Sequence, residues 1–116
     1  PVETSTVVYT FKGALNYVSG ESHLKRLQTI RNSYKVIIIR MKELTRLDID
    51  GALILNEILQ ELRVENKIVY VTGVSPHIRE SLKLSKEYFM LEEKGLVKEK
   101  TQETLKALST SGVSTG

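Results

Sequence analysis

Four consecutive β-branched residues, Val36-Ile37-Ile38-Ile39, restrict the fold of this chain more than any other feature. A continuous apolar strand with no alternation of polar residues is typical of a sheet that is covered on both faces. The run therefore predicts an interior strand from about residue 34 to residue 40. A second such run, Ile68-Val69-Tyr70-Val71, follows some 30 residues later.

A long amphipathic helix is predicted between these two strands, from Gly51 to about Glu65. Its apolar residues at helical spacing form one broad stripe that should face the core: Gly51, Ala52, Leu55, Ile58, Leu59 and Leu62. Leu53 falls on the opposite face with Glu57, Gln60 and Val64. Because a helical crossover of this length joins parallel strands, the two apolar runs should be adjacent, parallel and central.

The remaining segments give an order of strand, strand, helix, strand, helix, strand, helix, strand, helix. This order predicts an α/β fold with a mixed sheet of four to five strands and four to five helices, the first strand running antiparallel to a neighbour. Further strands are predicted at residues 6–11, 14–18 and 96–98. Four further helices are predicted: one at residues 21–32 with Ser19 or Gly20 as its cap, one that begins after Ser75-Pro76, one that ends at about Lys94, and one from Thr101 onward. Residues 1–108 should form the domain, and residues 109–116 a flexible tail.

Composition excludes several classes of function. The 116 residues suffice for one domain, and the absence of cysteine excludes disulfides, thiolate catalysis and cysteine-ligated zinc. His23 and His77 lack metal-ligand spacing and are interpreted as solvent-facing helix residues. With a net charge of +3 and few aromatic residues, nucleic-acid binding is not expected, whereas an anionic membrane face or an acidic partner stays open.

The turn that leads into the long helix reads Leu44-Thr45-Arg46-Leu47-Asp48-Ile49-Asp50-Gly51. Asp50 is predicted to be the N-cap, where a carboxylate accepts from free backbone N–H groups, and Asp48 to be a turn former. Gly51 allows close approach to the first turn of the helix. Polar turns between a strand and a helix commonly carry the functional groups of α/β proteins.

Asp48-Ile49-Asp50-Gly51 resembles the signature turn of the sulfate-transporter and anti-sigma-antagonist (STAS) domain. In that pattern a hydrophobic strand precedes an acidic residue, a variable residue, Ser/Thr or a substitute, and a Gly that opens a helix. Residues 11–18, Phe-Lys-Gly-Ala-Leu-Asn-Tyr-Val, resemble the segment that precedes the first helix in the transporter branch of the family. Gly73 and Pro76 also fit the family pattern, and the resemblance covers about Val7 to Leu108.

The resemblance implies two functional classes. One is a cytoplasmic regulatory domain of a sulfate-permease-type (SulP) secondary anion transporter, on the cytoplasmic side of the inner membrane. The other is a stand-alone cytoplasmic anti-sigma-factor antagonist, in which the residue before the signature Gly is a phosphorylated Ser or Thr. Asp50 occupies that position here, which favours the transporter branch, as do Tyr17 and the absence of an initiator Met before Pro1.

Catalysis is not expected. Asp48 and Asp50 might be read as a carboxylate pair, but the sequence has no nucleophile with a nearby base, no P-loop and no dinucleotide fingerprint. No cofactor or metal is predicted. Relatives in the family bind nucleotides, but no phosphate-cradling motif in this sequence assigns such a site.

A partner-binding site is expected at the signature turn, comprising Arg46, Asp48, Asp50, Gly51 and Leu53. Leu53 would be the apolar anchor and the charged residues would set orientation. The expected partner is the transmembrane part of the same transporter, a regulatory protein or a second copy of the chain.

Overall fold

A computed structural model describes the backbone of residues 5–115 and the side chains of residues 5–109. The strands are β1 (Thr6–Thr10), β2 (Gly13–Leu15), β3 (Val36–Arg40), β4 (Leu44–Leu47), β5 (Ile68–Thr72) and β6 (Val97–Lys98). The helices are α1 (Tyr17–Ile30), α2 (Ile49–Val64), α3 (Pro76–Ser81), α4 (Lys86–Glu93) and α5 (Thr101–Thr115), with short 3-10 turns at Arg31–Ser33 and Leu82–Leu84. The α/β class predicted from the sequence is confirmed.

The main sheet has the strand order β1-β3-β5-β6 within the described residues. β3 and β5 are adjacent, parallel and central, as the two apolar runs predict, and Ile38 lies beside Tyr70 in their register. β6 pairs with β5 at the edge of the sheet, also as predicted. Helix α2 is the crossover between β3 and β5, and its predicted apolar stripe is buried throughout.

The predicted antiparallel pairing of the first strand is wrong. β1 pairs with β3 in parallel, from Thr6 beside Val36 to Thr10 beside Arg40. The chain does not turn back after β1. It bends and continues into β2, which pairs in parallel with β4 in a second, two-stranded sheet. β4 itself falls in a segment that was expected to be only a connection, and every strand pair in the described residues is parallel.

Helix α1 begins four residues earlier than predicted, because Asn16 is its N-cap rather than Ser19 or Gly20. The Asn16 side chain accepts from the Ser19 backbone N–H, and the Ser19 hydroxyl bonds the Asn16 N–H, both at 3.0 Å. This reciprocal capping box supplies two of the backbone partners that a helix start lacks. Tyr17 and Val18, which were predicted to end a strand, therefore lie in the first helical turn.

Helices α1 and α2 pack closely against each other over the main core. Gly20 of α1 lies against the Ile54 side chain, so that any added Cβ would overlap it. Two further predicted helix signals are confirmed: Ser75 caps α3 with Pro76 at its first position, and Gly95 follows α4 with a φ of 73°. No helix among the described residues is both long and apolar enough to span a membrane.

The backbone of α5 is helical to Thr115, whereas the sequence predicts a flexible tail from residue 109. The side chains of residues 110–116, on which most of that prediction falls, lie outside the described residues. The domain boundary at residue 108 therefore stays a prediction.

Candidate functional site

Asp48, not Asp50, is the N-cap of α2. Its backbone is extended, with φ −90° and ψ −179°, and its Oδ1 accepts from the Gly51 N–H at 2.7 Å. The predicted cap at Asp50 is wrong because α2 begins at Ile49, two residues before the predicted start. Asp50 instead lies exposed in the first turn, where its charge is favoured by the positive end of the helix dipole.

Gly51 is buried, and the group that approaches it comes from this same chain. An added Cβ at Gly51 would overlap the backbone carbonyl of Leu15, the last residue of β2. Gly51 therefore seats the first turn of α2 on the end of β2. Its role in the turn is internal packing, and it offers no surface to a partner.

The pairing of β2 with β4 places the starts of two helices side by side. Ala14 lies beside Arg46 and Leu15 beside Leu47, and each strand is followed by one capping residue and then a helix. The first turns of α1 and α2 consequently share one end of the small sheet. The charges of Glu57 and Asp50 in α2 raise the pKa of Tyr17 in α1, because these groups lie near one another at this surface.

These helix starts expose an unusual concentration of apolar side chains. Tyr17 and Val18 of α1 are 56% and 79% exposed, and Ile49 and Leu53 of α2 are 68% and 53% exposed. They are four of the eight large apolar side chains exposed among residues 5–109. We call the surface formed by Tyr17, Val18, Ile49 and Leu53, with Arg46 and Asp50, the docking face.

Acidic groups border the aromatic part of the docking face. A hydrogen bond with Glu21 raises the pKa of Tyr17, and the charges of Glu57 and Asp50 act in the same direction. Arg46, exposed in β4, carries the opposite charge near the signature turn. The face thus combines an apolar centre with charges of both signs, the usual make-up of a protein-binding patch.

The structure separates the five predicted site residues by role. Arg46, Asp50 and Leu53 are exposed and available to a partner, while Gly51 is buried and Asp48 is engaged in capping. The sequence interpretation missed Tyr17, Val18 and Ile49 as members of the surface. A signal existed, because an apolar residue directly follows each capping residue, but Tyr17 and Val18 were assigned to a strand.

His23 is not the solvent-facing residue that was predicted. It is buried on the inner side of α1, where its Nδ1 lies 2.6 Å from the Tyr9 hydroxyl and its ring packs edge-on against Phe11. Burial lowers the pKa of His23, and the charge of Arg26 adds to the effect. His23 thus joins α1 to β1 through its hydrogen bond with the Tyr9 hydroxyl and its ring contact with Phe11. His77 is exposed, as predicted.

Among the described residues, no group of three or more His, Asp or Glu side chains has the arrangement of a metal site. Oδ1 of Asp48 accepts from the Gly51 N–H, and Asp50 is exposed in the first turn of α2. Their pattern is that of a capped helix start with one free surface charge.

The sequence profile of the STAS domain family matches residues 1–113, and the chain belongs to that family. No curated protein sequence is significantly similar to it. The signature turn, the order of elements and the parallel central strands are therefore those of a STAS domain.

Solved structures agree with this assignment at the level of the fold. A sulfate transporter family protein from Wolinella succinogenes superposes with a TM-score of 0.73 at 20% identity, over 95% of this chain and 88% of that one. The STAS domain of a SulP transporter from Vibrio cholerae gives 0.73 at 20% identity, over 95% and 85%. The anti-sigma factor antagonist SpoIIAA in its unphosphorylated form gives 0.68 at 17% identity, over 92% and 90%.

Proposed function

We propose that this chain is a non-catalytic regulatory domain on the cytoplasmic side of a sulfate-permease-type anion transporter, where it binds the transporter's membrane part through the docking face. The transporter would move sulfate or a related anion. The observation that carries the proposal is the convergence of Tyr17, Val18, Ile49 and Leu53 at two adjoining helix starts. The two neighbours described as sulfate transporter family and SulP proteins support the choice of branch.

Single exposed apolar residues are common on soluble proteins and need no explanation. A cluster of four, contributed by two elements that a strand pair holds in register, is a different case because such patches mark interaction surfaces. Leu53 and Ile49 would supply the apolar contact. Arg46 and Asp50, at the border of the cluster, would set the orientation of the partner.

Asp50 bears on the choice between the two branches. In the antagonist branch a serine or threonine precedes the signature Gly and accepts a phosphate, and this chain has a carboxylate there. A carboxylate is not a substrate for a serine kinase, and it carries about one charge where a phosphate carries nearly two. Asp50 thus gives this position a permanent negative charge, which favours a constant contact over a phosphorylation switch.

The test is Leu53→Glu in the full transporter that carries this domain, with Leu84→Glu as the matched control. Leu84 is a leucine of similar exposure, 51% against 53%, and lies outside the docking face. A charge at position 53 should reduce anion uptake and the affinity between the isolated domain and the membrane part. The Leu84→Glu control should retain normal uptake and normal affinity, because Leu84 lies outside the docking face.

A measurement of the unfolding free energy distinguishes a loss of binding from a loss of folding in the Leu53→Glu variant. Because Leu53 is outside the core, Leu53→Glu should change the unfolding free energy of the domain by less than about 1 kcal/mol. A folded Leu53→Glu variant with normal uptake and normal binding would refute the docking face. Equal losses in both leucine variants would show that added negative charge, not the face, is responsible.

A further inference from the structure

A small apolar cavity lies at the other end of α2 from the docking face, at the edge of the main sheet where β5 begins. It has a volume of about 180 Å³ and is enclosed by the last turns of α2 and α4 and the start of β5. Its apolar lining consists of Leu59, Ile68, Val69, Met90, Leu91 and Leu96. Because Ile68 is 41% exposed, the cavity is open to solvent at this edge.

The volume of the cavity sets the size of what it can hold. An apolar cavity of about 150 Å³ in another protein accepts benzene, so the present one has room for a body of about the size of an aromatic ring. Met90, half-buried in α4, is unbranched and flexible and allows this wall to adjust to the shape of a ligand.

An arginine and a glutamate of the cavity lining neutralise each other. Nε and an Nη atom of Arg63 donate to the two carboxylate oxygens of Glu87, at 2.9 and 3.0 Å. The backbone N–H of Glu87 also donates to Oδ1 of Asn56 at 2.9 Å, which holds this residue in place. Glu87 is buried and committed to Arg63, so its charge is not free to pair with other cations of the lining.

Two lysines of the lining are left without such a partner. Lys67 precedes β5 and Lys94 follows α4, and both line the cavity. Neither lysine forms an ion pair with any side chain in residues 5–109. The cavity thus combines apolar walls with two ammonium groups that lack an anion, an arrangement that favours a ligand with an apolar body and a negative charge.

We propose that this cavity binds a small carboxylic acid whose apolar body is about the size of an aromatic ring. The body would displace water from the side chains of Leu59, Met90 and Leu96. The carboxylate would stay at the mouth of the cavity, where Lys67 and Lys94 provide the opposite charge. The site includes no residue of the docking face, so a ligand and a protein partner could bind at the same time.

Phenylacetate is a suitable probe, because it joins one aromatic ring to one carboxylate. Backbone NMR spectra of the 116-residue chain would be recorded near neutral pH and at constant ionic strength while phenylacetate is added. Saturable shifts should concentrate at residues 67–69, 90–91 and 94–96. Acetate, which has the charge without the ring, should produce no saturable shift at the same concentrations, because the buried apolar surface supplies most of the affinity.

The role of the two lysines is tested with Lys67→Gln/Lys94→Gln, which removes both charges and keeps long polar side chains. This double variant should bind phenylacetate at least about fivefold more weakly, since two partly exposed ion pairs are lost. Its affinity for 2-phenylethanol, which has the ring without a charge, should stay within about twofold of that of the wild type.

A matched control removes two lysines elsewhere. Lys12 and Lys25 are exposed and lie outside the cavity, so Lys12→Gln/Lys25→Gln should bind phenylacetate within about twofold of the wild type in salt. Equal weakening in the two double variants would overturn the proposal. So would an equal loss of phenylacetate and 2-phenylethanol binding in Lys67→Gln/Lys94→Gln, or the absence of saturable shifts at these residues at millimolar phenylacetate.

Discussion

The backbone of Gly51 packs directly on the carbonyl oxygen of Leu15, with no space for even one methyl group between them. This contact joins the signature turn to the end of β2. It explains why the turn requires glycine at a helical position where alanine would ordinarily be preferred. It also fixes the start of α2 relative to the start of α1, and hence the shape of the docking face.

Gly51→Ala should therefore destabilise the domain. At an ordinary helix position the change from Gly to Ala stabilises by about 1 kcal/mol, whereas overpacking against backbone costs about 1–3 kcal/mol. Urea denaturation would measure the difference, with the exposed Glu57→Ala as the control on the same helix. A gain in stability for Gly51→Ala would contradict the close contact with Leu15.

The two aspartates of the turn should differ in their contribution to stability. Asp48→Ala removes the cap on the Gly51 N–H and should cost about 1 kcal/mol, within the range of 0.5–2 kcal/mol for such caps. Asp50→Ala removes only a favourable charge near the helix start, worth about 0.3–1 kcal/mol at low salt. Because salt screens the second effect, the gap between the variants should widen in denaturation curves recorded at high ionic strength. Equal costs at high salt would mean that Asp50 has a partner of its own.

Stability should fall as the pH drops from about 7.5 to 5.5, because of His23. Its folded-state pKa is depressed by burial and by Arg26, so below the unfolded-state pKa of about 6.5 the unfolded chain takes up a proton that the folded chain does not. Urea midpoints of wild type and His23→Gln across this range give the measurement, and the variant should show the smaller pH dependence. The exposed His77 serves as control, since His77→Gln should leave the wild-type trend intact.

Asn56 should contribute more to the stability of the domain than its partly exposed position on α2 suggests. Its Oδ1 accepts from the Ser85 hydroxyl at 3.1 Å and from the Glu87 N–H at 2.9 Å, so it satisfies the start of α4 from a neighbouring helix. Asn56→Ala leaves both donors without that acceptor and should cost about 1–3 kcal/mol. The exposed Gln60, one turn further along α2, provides the comparison, and Gln60→Ala should change stability by about 0.5 kcal/mol or less.

A serine kinase should leave the signature turn unmodified. Asp50 occupies the position that would otherwise accept the phosphate, so modification there should appear only after Asp50→Ser. Mass spectrometry after incubation with a kinase that acts on STAS antagonists would decide. Phosphate on Thr45 of the wild type, an exposed residue of β4, would revive the antagonist alternative.

The central architecture could be predicted from the sequence because its signals are strong and local. The apolar run Val36–Ile39 has no polar alternation, and the stripe on α2 matches the helical period over about three turns. The errors occur where two local preferences compete. Tyr17 and Val18 favour a strand by composition, but the capping side chain of Asn16 begins a helix before them. Asp48 and Asp50 are equally suited to capping, and only the seating of α2 on Leu15 selects the first.

Other features depend on contacts that no local pattern contains. His23 is polar, yet the ring of Phe11 and the hydroxyl of Tyr9, both from β1, make a buried place for it. The sequence also does not show that β1 pairs in parallel with β3, because this pairing joins segments about 30 residues apart. Half of the docking face is not evident from the sequence for the same reason. Tyr17 and Leu53 are 36 residues apart in the chain, and their helices are brought together by the β2–β4 pair and by the packing of α1 on α2.

The β2–β4 pair has a practical consequence for mapping partners with fragments. Residues 44–65 contain the whole signature turn and the helix that follows it, so a peptide of this length would be the natural choice for a binding screen. Such a peptide would lack Tyr17, Val18 and the carbonyl of Leu15 on which Gly51 rests. A shortened protein that starts after residue 20 would lack the same residues. If either fragment failed to bind a partner, the cause would be the missing half of the docking face, and the result would not show that the partner does not bind the intact domain.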